Sequence, residues 1–251
     1  MSAHATTDTS AERAAEARAR ILDAALSAFS AHGLAGARTE QIAAAAGVNK
    51  ALLYYYFDSK EKLYLAALEM VATRVRDSTM AVFLRASSPG ERVLRMALNH
   101  FDRILTQREF QSLMQQEMIR LHQGEKGALP VLVKRVFEPL QTMFEAMVRE
   151  GIASGELIEV DWMQIQLAAL GANVFYFLSA PVMRLTMPFE PFDVKVLRAR
   201  RDALVEFLGK AIFQDRRRGA KLAAKVLADT PMPANEQIEA GEFRGFGVHA
   251  K

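Results

Sequence analysis

Residues 47–63 limit most strongly what this chain can fold into, because residues that end and start helices alternate there within a short span. Gly47 can adopt the positive φ that closes a helix. Asn49 is a favourable N-cap, since its side chain can accept a hydrogen bond from an otherwise unpaired backbone N–H. Asp58 or Ser59 can cap the next helix in the same way. The pattern predicts a tight turn, a short helix, a second turn and the start of a longer helix.

The short helix has two different faces. Leu53 and Phe57 lie four residues apart and therefore share one face. This arrangement leaves Lys50, Tyr54 and Tyr55 on the outward side. A helix with an apolar back and an aromatic and basic front fits a DNA groove, so the pattern indicates a helix-turn-helix domain.

Two helical patterns precede this one. Residues 17–32 are rich in alanine and carry an apolar stripe at a period close to 3.6, and Gly33 ends the pattern. Residues 38–46 predict a short second helix of small side chains, which allow helices to cross closely. The stripe consists of Ile21, Leu22, Ala25 and Phe29, and the residues that can close the core between the helices are Ile42, Val48, Leu53 and Phe57.

Residues 21–63 resemble the DNA-binding domain of the TetR (tetracycline-repressor) family. The chain departs from the family pattern at Ala51-Leu52, where Gly-Thr is frequent, and at Tyr56, where His is frequent. These departures leave the fold unaffected and bear on base preference. Beyond Leu63 the resemblance is one of architecture alone. The matching segments are Ile21-Leu22-Asp23-Ala24-Ala25, Phe29, Gly33, Ile42-Ala43, Ala46-Gly47-Val48, Leu53-Tyr54-Tyr55-Tyr56-Phe57, Ser59-Lys60-Glu61 and Leu63.

The first residues of the second helix of a helix-turn-helix domain meet base edges in the major groove. Lys50 can donate to guanine acceptors, and Leu52 can contact a thymine methyl group. The resemblance implies phosphate contacts from the tyrosines, from Lys60 and from the start of the preceding helix. The alternative is that the tyrosines only pack the domain and the lysines are solvated. The DNA-binding residues predicted in this way are Arg38, Thr39, Asn49, Lys50, Ala51, Leu52, Tyr54, Tyr55 and Lys60.

Composition is consistent with a regulator inside the cell. The 251 residues suffice for one or two helical domains, and the absence of cysteine excludes disulfides and thiolate metal sites. Residues 1–20 lack the apolar core of a secretory signal, so we expect a cytoplasmic protein. The net charge is +3, and residues 1–63 hold seven basic and seven acidic side chains. The DNA interpretation therefore rests on motif geometry and not on bulk charge.

The rest of the chain consists of consecutive helical patterns, without strand alternation, repeats or a glycine-rich phosphate loop. We expect an all-α fold with an N-terminal three-helix helix-turn-helix DNA-binding domain and a C-terminal helical domain for effector binding and dimerisation. The expected divisions are a mobile N-terminal arm at 1–16, the DNA-binding domain at 17–63, the helical body at 64–216 and a largely flexible tail at 217–251.

Residues 162–183 contain no charged side chain and are about as long as a membrane span. However, polar residues such as Gln164, Gln166 and Asn173 interrupt the segment, and small residues such as Gly171 suit close contact between helices. A buried or dimer-forming helix is therefore the preferred interpretation, and we expect no membrane contact.

A single recognition helix specifies few bases, so two copies must present their helices one turn of DNA apart. The resemblance implies that the last two long helices, near 161–180 and 194–216, form a four-helix bundle with a second copy. The alternative for each contact residue is ordinary core within one chain. The dimer contacts predicted are Val174, Phe175, Phe177, Leu178, Leu204, Phe207 and Leu208.

The resemblance also implies a small-molecule effector, and the middle helices are rich in methionine and phenylalanine. Such side chains can line an adaptable apolar cavity, although the same stripe is also typical of plain core. His100 and His122 are too isolated to indicate a metal site, and no cofactor is expected. The pocket residues predicted are Met96, His100, Phe101, Phe110, Met114, Met118, Phe137, Met143 and Phe144.

The sequence thus predicts a sequence-specific transcriptional regulator, a homodimeric repressor that a small hydrophobic effector releases from double-stranded operator DNA. Activators occur among proteins of this kind, so that alternative stays open. A helical binding or adaptor protein whose head no longer binds DNA is the second alternative. An enzyme is not expected, because no nucleophile–base pair, carboxylate pair or metal cluster appears at informative spacing.

Overall fold

The computed structural model describes the backbone of residues 4–234 and the side chains of residues 11–234. The regular elements among them are helices, which confirms the predicted all-α fold, and an isolated bridge joins Leu157 to Phe213. The elements are α1 (His4–Gly36), α2 (Thr39–Ala45), α3 (Lys50–Phe57), α4 (Lys60–Arg85), α5 (Pro89–Thr106), α6 (Arg108–His122), α7 (Leu129–Leu132), a π-helical turn (Val133–Phe137), α8 (Glu138–Ala153), α9 (Trp162–Gln166), a second π-helical turn (Leu167–Gly171), α10 (Ala172–Thr186), α11 (Val194–Ala211) and α12 (Arg216–Asp229).

Residues 1–74 and 109–133 form one compact unit, which we call unit 1. The domain boundary predicted after residue 63 lies inside it. Just beyond that boundary, the edge of the Tyr64 ring packs against Phe29, with the ring centroids 5.0 Å apart.

Among the core positions predicted from the sequence, Val48 is half-buried. The other core positions predicted from the sequence are buried, namely Ile21, Leu22, Ala25, Phe29, Ile42, Leu53 and Phe57.

The turn between α2 and α3 forms as the sequence predicts. Gly47 has a φ of 67°, in the left-handed region that favours glycine. Asn49 is the N-cap of α3, and its Oδ1 accepts a hydrogen bond from the Leu52 N–H at 2.8 Å. The Ser59 hydroxyl accepts from the Lys62 N–H at 3.1 Å and caps α4. These caps fix where α3 begins and where α4 starts after it.

The first helix is longer than predicted. It begins at His4, so the predicted mobile arm at 1–16 is helical from that residue onward, while residues 1–3 lie outside the described part of the chain. Residues 11–16, directly before the predicted helix, are all alanine, glutamate or arginine, and their high helix propensity extends the helix beyond its buried stripe. Gly33 interrupts the helix with a φ of 68°, at the position where the sequence predicts its end.

A buried carboxylate joins three segments of unit 1. Glu117 of α6 is fully buried and accepts hydrogen bonds from the Tyr64 hydroxyl and from Arg120 Nη1, both at 2.8 Å. Its Oε2 accepts from the backbone N–H groups of Ala128 and Leu129. Burial, together with the hydrogen bond to Glu117, raises the pKa of Tyr64, so the phenol remains a neutral donor. Since a buried carboxylate is stable only when it is paired, this contact holds α4, α6 and the start of α7 together.

Among the described residues, 75–108 and 134–234 form unit 2. In unit 2, α5 packs against α8, α11 and α12, and α11 packs against α12. A buried ion pair connects α5 with α11, because Arg201 Nε and Nη2 donate to the two carboxylate oxygens of Asp102 at 2.6 and 2.8 Å. Arg201 also donates to the Thr230 carbonyl oxygen at 3.0 Å. The charge-assisted pair therefore ties α5, α11 and the end of α12 together.

Within the tail predicted as largely flexible at 217–251, where the sequence indicates one short helix at 220–227, the structure has the longer helix α12 at Arg216–Asp229. Ala223 and Val226 of this helix are completely buried. The segment opens with three arginines, and its apolar stripe is narrow, so its sequence gives only a weak helical core signal. Residues 235–251 lie outside the described part of the chain.

One helical stretch, Trp162–Thr186, is long and apolar enough to cross a membrane by length and composition, and 33% of its most apolar window is buried within the chain. It comprises α9, the second π-helical turn and α10. One face contributes Tyr176, Phe177 and Ala180 to the interior of unit 2. The sequence favours a buried or dimer-forming helix for this segment, and this face is buried within unit 2.

We expect Asn49→Ala to lower the free energy of unfolding by about 1 kcal/mol, since it removes the acceptor that caps α3. Asn49→Asp keeps an acceptor in the same place and adds a charge that a helix N-terminus favours, so its stability should stay near that of the parent protein. Urea unfolding followed by circular dichroism measures both variants. Equal losses for the two variants would show that the cap does not stabilise the helix.

Two glycines allow α11 and α12 to cross closely. A Cβ built on Gly219 would lie 2.0 Å from the Gly209 carbonyl oxygen and 2.7 Å from the Phe213 ring. We expect Gly219→Ala to lower the free energy of unfolding by at least about 2 kcal/mol, because the helices must separate. Ala224→Gly, at an exposed position of the same helix, is the control. It should cost about 1 kcal/mol from helix propensity alone. Urea unfolding of a Gly219→Ala variant as stable as the parent would contradict the close crossing.

Candidate DNA interface, pocket and dimer surface

The exposed face of α3 consists of Lys50, Ala51 and Tyr55. Tyr55 is 78% exposed, whereas Leu53 on the opposite face is completely buried. Leu52 is half-buried. The predicted base-contacting positions therefore lie at the surface of unit 1, with their apolar support behind them.

Thr39 and Tyr54 connect α2 with α3. The Thr39 hydroxyl oxygen lies 3.2 Å from the Tyr54 hydroxyl oxygen, which is a hydrogen-bond distance. Thr39 is buried and Tyr54 is half-buried. Both predicted phosphate ligands thus also join helices, and within the tyrosine run Tyr54 packs the domain while Tyr55 is free to face a partner.

Lys50 pairs with Glu40 of α2, and its ammonium group lies 5.8 Å from the centre of the Tyr54 ring. Their hydrogen bond lowers the pKa of Glu40 and raises the pKa of Lys50. The two side chains are 62% and 51% exposed, so solvent screens the pair and it exchanges readily. Glu40 is absent from the residues predicted, because the pair joins two helices across a turn and no spacing signal in the sequence identifies it.

Lys60 is half-buried and donates from Nζ to the Ala35 carbonyl oxygen at 3.1 Å. This contact joins the start of α4 to the end of α1. An ammonium group carries three donors, so Lys60 can keep it and still meet a phosphate. Arg38 occupies the N-cap position of α2, is exposed and makes no side-chain capping bond. Arg38 is therefore the more accessible of these two predicted phosphate ligands.

The predicted pocket residues divide between the two units. Phe110, Met114 and Met118 belong to unit 1. The first two are buried, which fits plain core. Met118 is 49% exposed and is not enclosed by its own chain. This part of the predicted set therefore does not gather around one cavity within the described residues.

The members in unit 2 are dispersed as well. Met96 and Phe144 belong to one buried cluster, and Phe101 belongs to another. Phe137 and Met143 are half-buried. His100 is a further member of the set and lies on α5, 3.3 Å from the Asn173 amide nitrogen. Methionine and phenylalanine in these helices mainly build core, which is the alternative that the sequence left open.

Unit 2 has an open surface depression of about 460 Å³. None of the predicted pocket residues lines this depression. The described residues contain no group of three or more His, Cys, Asp and Glu side chains that could hold a metal ion. The depression is lined by Arg149, Ile152, Ala153, Glu159, Val160 and Asp161.

Three of the predicted dimer residues, Phe177, Leu204 and Leu208, are buried inside their own chain. The centre of the Phe177 ring lies 5.3 Å from that of Phe101. The dimer role predicted for these three residues is wrong, because their own unit already covers them and leaves no surface for a partner.

The other predicted dimer residues, Val174, Phe175, Leu178 and Phe207, are exposed. All but Phe207 belong to an apolar stripe that we call the α10 face. Its outer members are not among the residues predicted from the sequence, although their spacing of three and four residues signals one helix face. The α10 face consists of Met163, Leu167, Val174, Phe175, Leu178, Val182 and Leu185.

Comparison with known proteins locates the strongest likeness in unit 1. Residues 21–67 match the family model for bacterial regulatory proteins of the tetR family. The repressor NicS of Pseudomonas putida is 33% identical over 114 residues, which are 45% of this chain and 53% of NicS. The regulator RutR of Escherichia coli is 57% identical over 51 residues, which are 20% of this chain and 24% of RutR. The chain thus spans about half or less of the length of these relatives.

The likeness of fold extends further than the likeness of sequence. A transcriptional regulator from Saccharomonospora viridis, solved in complex with choline, superposes with a TM-score of 0.63 at 19% identity. The match covers 80% of this chain and 99% of that one. At this identity the comparison shows the fold alone. The likeness to the tetR family of bacterial regulatory proteins is thus carried by residues 21–67, which include the capped α3 and its exposed face.

Proposed function

We propose that this protein binds double-stranded operator DNA as a homodimer in the cytoplasm and represses transcription until a small effector releases it. The observation that carries the proposal is α3, a capped helix whose apolar back is buried and whose front presents Lys50, Ala51 and Tyr55 to solvent. A front of this kind fits the major groove. The activity depends on binding groups alone, and no catalytic group enters it.

Lys50 reads bases by exchanging Glu40 for the O6 and N7 acceptors of guanine. The ion pair is exposed and screened by solvent, whereas a good base contact discriminates by about 1–3 kcal/mol. The exchange is therefore favourable at a matching base and unfavourable elsewhere, where Lys50 keeps its carboxylate partner. Glu40 thus contributes to specificity although it contacts no base.

Phosphate contacts set the register of the head without reading sequence. The residues assigned to this role lie on α2, α3 and the start of α4, next to the base-reading positions. Arg38 and Tyr55 are exposed. The remaining ones also join helices of unit 1, so a phosphate contact from them would couple DNA binding to the packing of the head. These are Thr39, Tyr54 and Lys60.

The α10 face, together with Phe207 of α11, is the proposed dimer surface. An exposed apolar stripe of this length is unusual on a monomer and is typical of an interaction site. A two-fold axis places the same face of a second copy against it, which buries both stripes at once. Two joined heads then bind two half-sites on the DNA.

A small effector acts by binding the DNA-free state better than the DNA-bound state. The Saccharomonospora viridis regulator of similar fold was solved with choline, which supports a bound small molecule in this architecture. In this chain α4 runs from Lys60 to Arg85 and includes residues of both units. We assign the transmission of the signal to that helix.

We expect Arg38→Ala to weaken binding to operator and unrelated DNA alike, and to reduce the slope of log Kd against log salt by about 0.9, because one phosphate contact is lost. Lys50→Ala should instead weaken operator binding by about 1–3 kcal/mol and leave unrelated DNA nearly unchanged. Fluorescence anisotropy on the DNA upstream of the protein's own gene, titrated with salt, measures both effects.

The matched control for these variants is Arg217→Ala, since Arg217 is exposed on α12 in the other unit. It should bind both DNAs as the parent protein does. If Arg38→Ala and Lys50→Ala behaved like this control, the DNA would bind elsewhere on the chain and the assignment of α3 would be lost.

We expect Phe175→Asp to turn the dimer into a monomer with unchanged helix content, because it places a charge in the middle of the α10 face. Operator affinity should fall by about 100-fold or more as the second head is lost. Leu84→Asp is the control, since Leu84 is 83% exposed on α4 outside this face. Sedimentation equilibrium measures the mass, and a dimeric Phe175→Asp variant would refute the proposed surface.

A further inference from the structure

A polar stripe runs along one side of α5 in unit 2. His100 and Arg103 lie three residues apart and share one face of α5, and Gln107 is the C-cap residue that directly follows the helix. Thr79 of α4 meets this stripe, and its hydroxyl accepts a hydrogen bond from Arg103 Nη1 at 2.9 Å. Asn173 of α10 meets it from another side, with its amide nitrogen 3.3 Å from His100 Nδ1. We call these five residues the α5 polar cluster.

Several atoms of the α5 polar cluster are buried and have no hydrogen-bond partner within the described residues. They are Arg103 Nε, Gln107 Oε1 and Asn173 Oδ1. Asn173 is completely buried, and its amide nitrogen donates to the Ala97 carbonyl oxygen at 3.0 Å, so its oxygen is left as a free acceptor. Buried polar atoms in folded proteins are nearly always paired, so we expect these atoms to have a partner outside the described residues.

The cluster also carries an unbalanced charge. Burial, together with the nearby charge of Arg103, lowers the pKa of His100 to about 3, so the imidazole is neutral. Burial lowers the pKa of Arg103 to about 10, which leaves the guanidinium charged at neutral pH. The neighbouring carboxylate of Asp102 is occupied by Arg201. Within the described chain Arg103 therefore has a hydroxyl partner and no carboxylate.

The backbone next to Asn173 is irregular. A π-helical turn at Leu167–Gly171 ends two residues before Asn173, within an otherwise α-helical stretch. Such turns occur frequently at functional sites, because they insert a residue and re-aim the side chains that follow. The turn also packs against α5, the helix that carries the stripe.

We propose that the α5 polar cluster is the recognition end of the effector site and that it takes a small organic acid. The carboxylate of the acid pairs with Arg103, and an N–H or O–H group of the same molecule donates to Asn173 Oδ1 or Gln107 Oε1. This inference rests on the proposed function, in which a small molecule releases the regulator from DNA. It changes the expected effector from a purely hydrophobic molecule to one with an anionic head.

A panel of acids and their neutral esters tests the charge requirement on the full-length protein. The probes are benzoate, 4-hydroxybenzoate, hexanoate and 6-hydroxyhexanoate, each paired with its methyl ester, in isothermal titration calorimetry and thermal unfolding. We expect at least one acid to bind and raise the Tm, its ester to bind at least about 10-fold more weakly, and the hydroxylated acid to bind more tightly than its parent. Binding of none of the acids at millimolar concentration would overturn the proposal and leave water as the partner of these atoms.

Substitution of Arg103 separates a binding role from a structural one. Arg103→Met should raise the Kd of the acid at least about 10-fold, while the ligand-free Tm stays equal or rises, because an unpaired buried charge has been removed. Arg103→Lys keeps the charge and should still prefer the acid to its ester, which decides the question if the methionine variant does not fold. Arg217→Met at an exposed position is the control. Unchanged acid binding in Arg103→Met would overturn the proposal.

An independent arm keeps this proposal distinct from the proposed function. Operator binding is measured by fluorescence anisotropy with and without the acid that binds best. Acid binding that depends on Arg103 but leaves the DNA complex intact would support the site and contradict its role as the release switch. Tight operator binding by a protein that binds no acid would overturn the site and leave the DNA-binding function standing.

Discussion

The burial of Leu53 and Phe57 is the constraint on which the proposed DNA-binding surface depends. Both side chains are enclosed in unit 1, where α3 packs on α2, and this fixes the rotation of α3 about its own axis. Once the back of so short a helix is fixed, its front can only be Lys50, Ala51 and Tyr55. The Asn49 cap then fixes where the helix begins. Recognition in this protein is thus a consequence of core packing, because a helix of two turns has no other way to hold its outward face in place.

The buried charged side chains of this chain differ in whether an oppositely charged group pairs with them. Glu117 is satisfied by a phenol, a guanidinium and two backbone N–H groups, and Arg201 is satisfied by Asp102 and a carbonyl oxygen. Both charges hold helices together because every strong acceptor or donor has its partner. Arg103 differs, since its buried charge meets a neutral hydroxyl within the described chain. The contrast between these paired charges and Arg103 supports the assignment of the α5 polar cluster as a binding site.

Local signals in the sequence are sufficient to predict the fold of the DNA-binding domain at 17–63. They are insufficient to predict the packing of the helical body at 64–216. The turn at Gly47, the Asn49 cap and the buried pair Leu53 and Phe57 all act within a few residues, so one sequence contains the whole argument. Partners distant in sequence decide the rest. The helix α12 is stable because its small residues meet Gly209 across a close crossing, which its own arginine-rich start does not reveal. Phe175 and Phe177 lie on opposite sides of α10, and contacts with other helices, such as that of Phe177 with Phe101, decide which side is covered.

The most direct test of the central claim is a selection of the DNA that this protein prefers from a random library. The full-length protein is incubated with the library, bound molecules are recovered and amplified over several rounds, and the enriched sequences are read. A homodimer that reads DNA through α3 predicts an inverted repeat whose two half-sites lie one helical turn or a multiple of it apart. Enrichment of a single unrepeated site, or no enrichment above the starting library, would contradict the account.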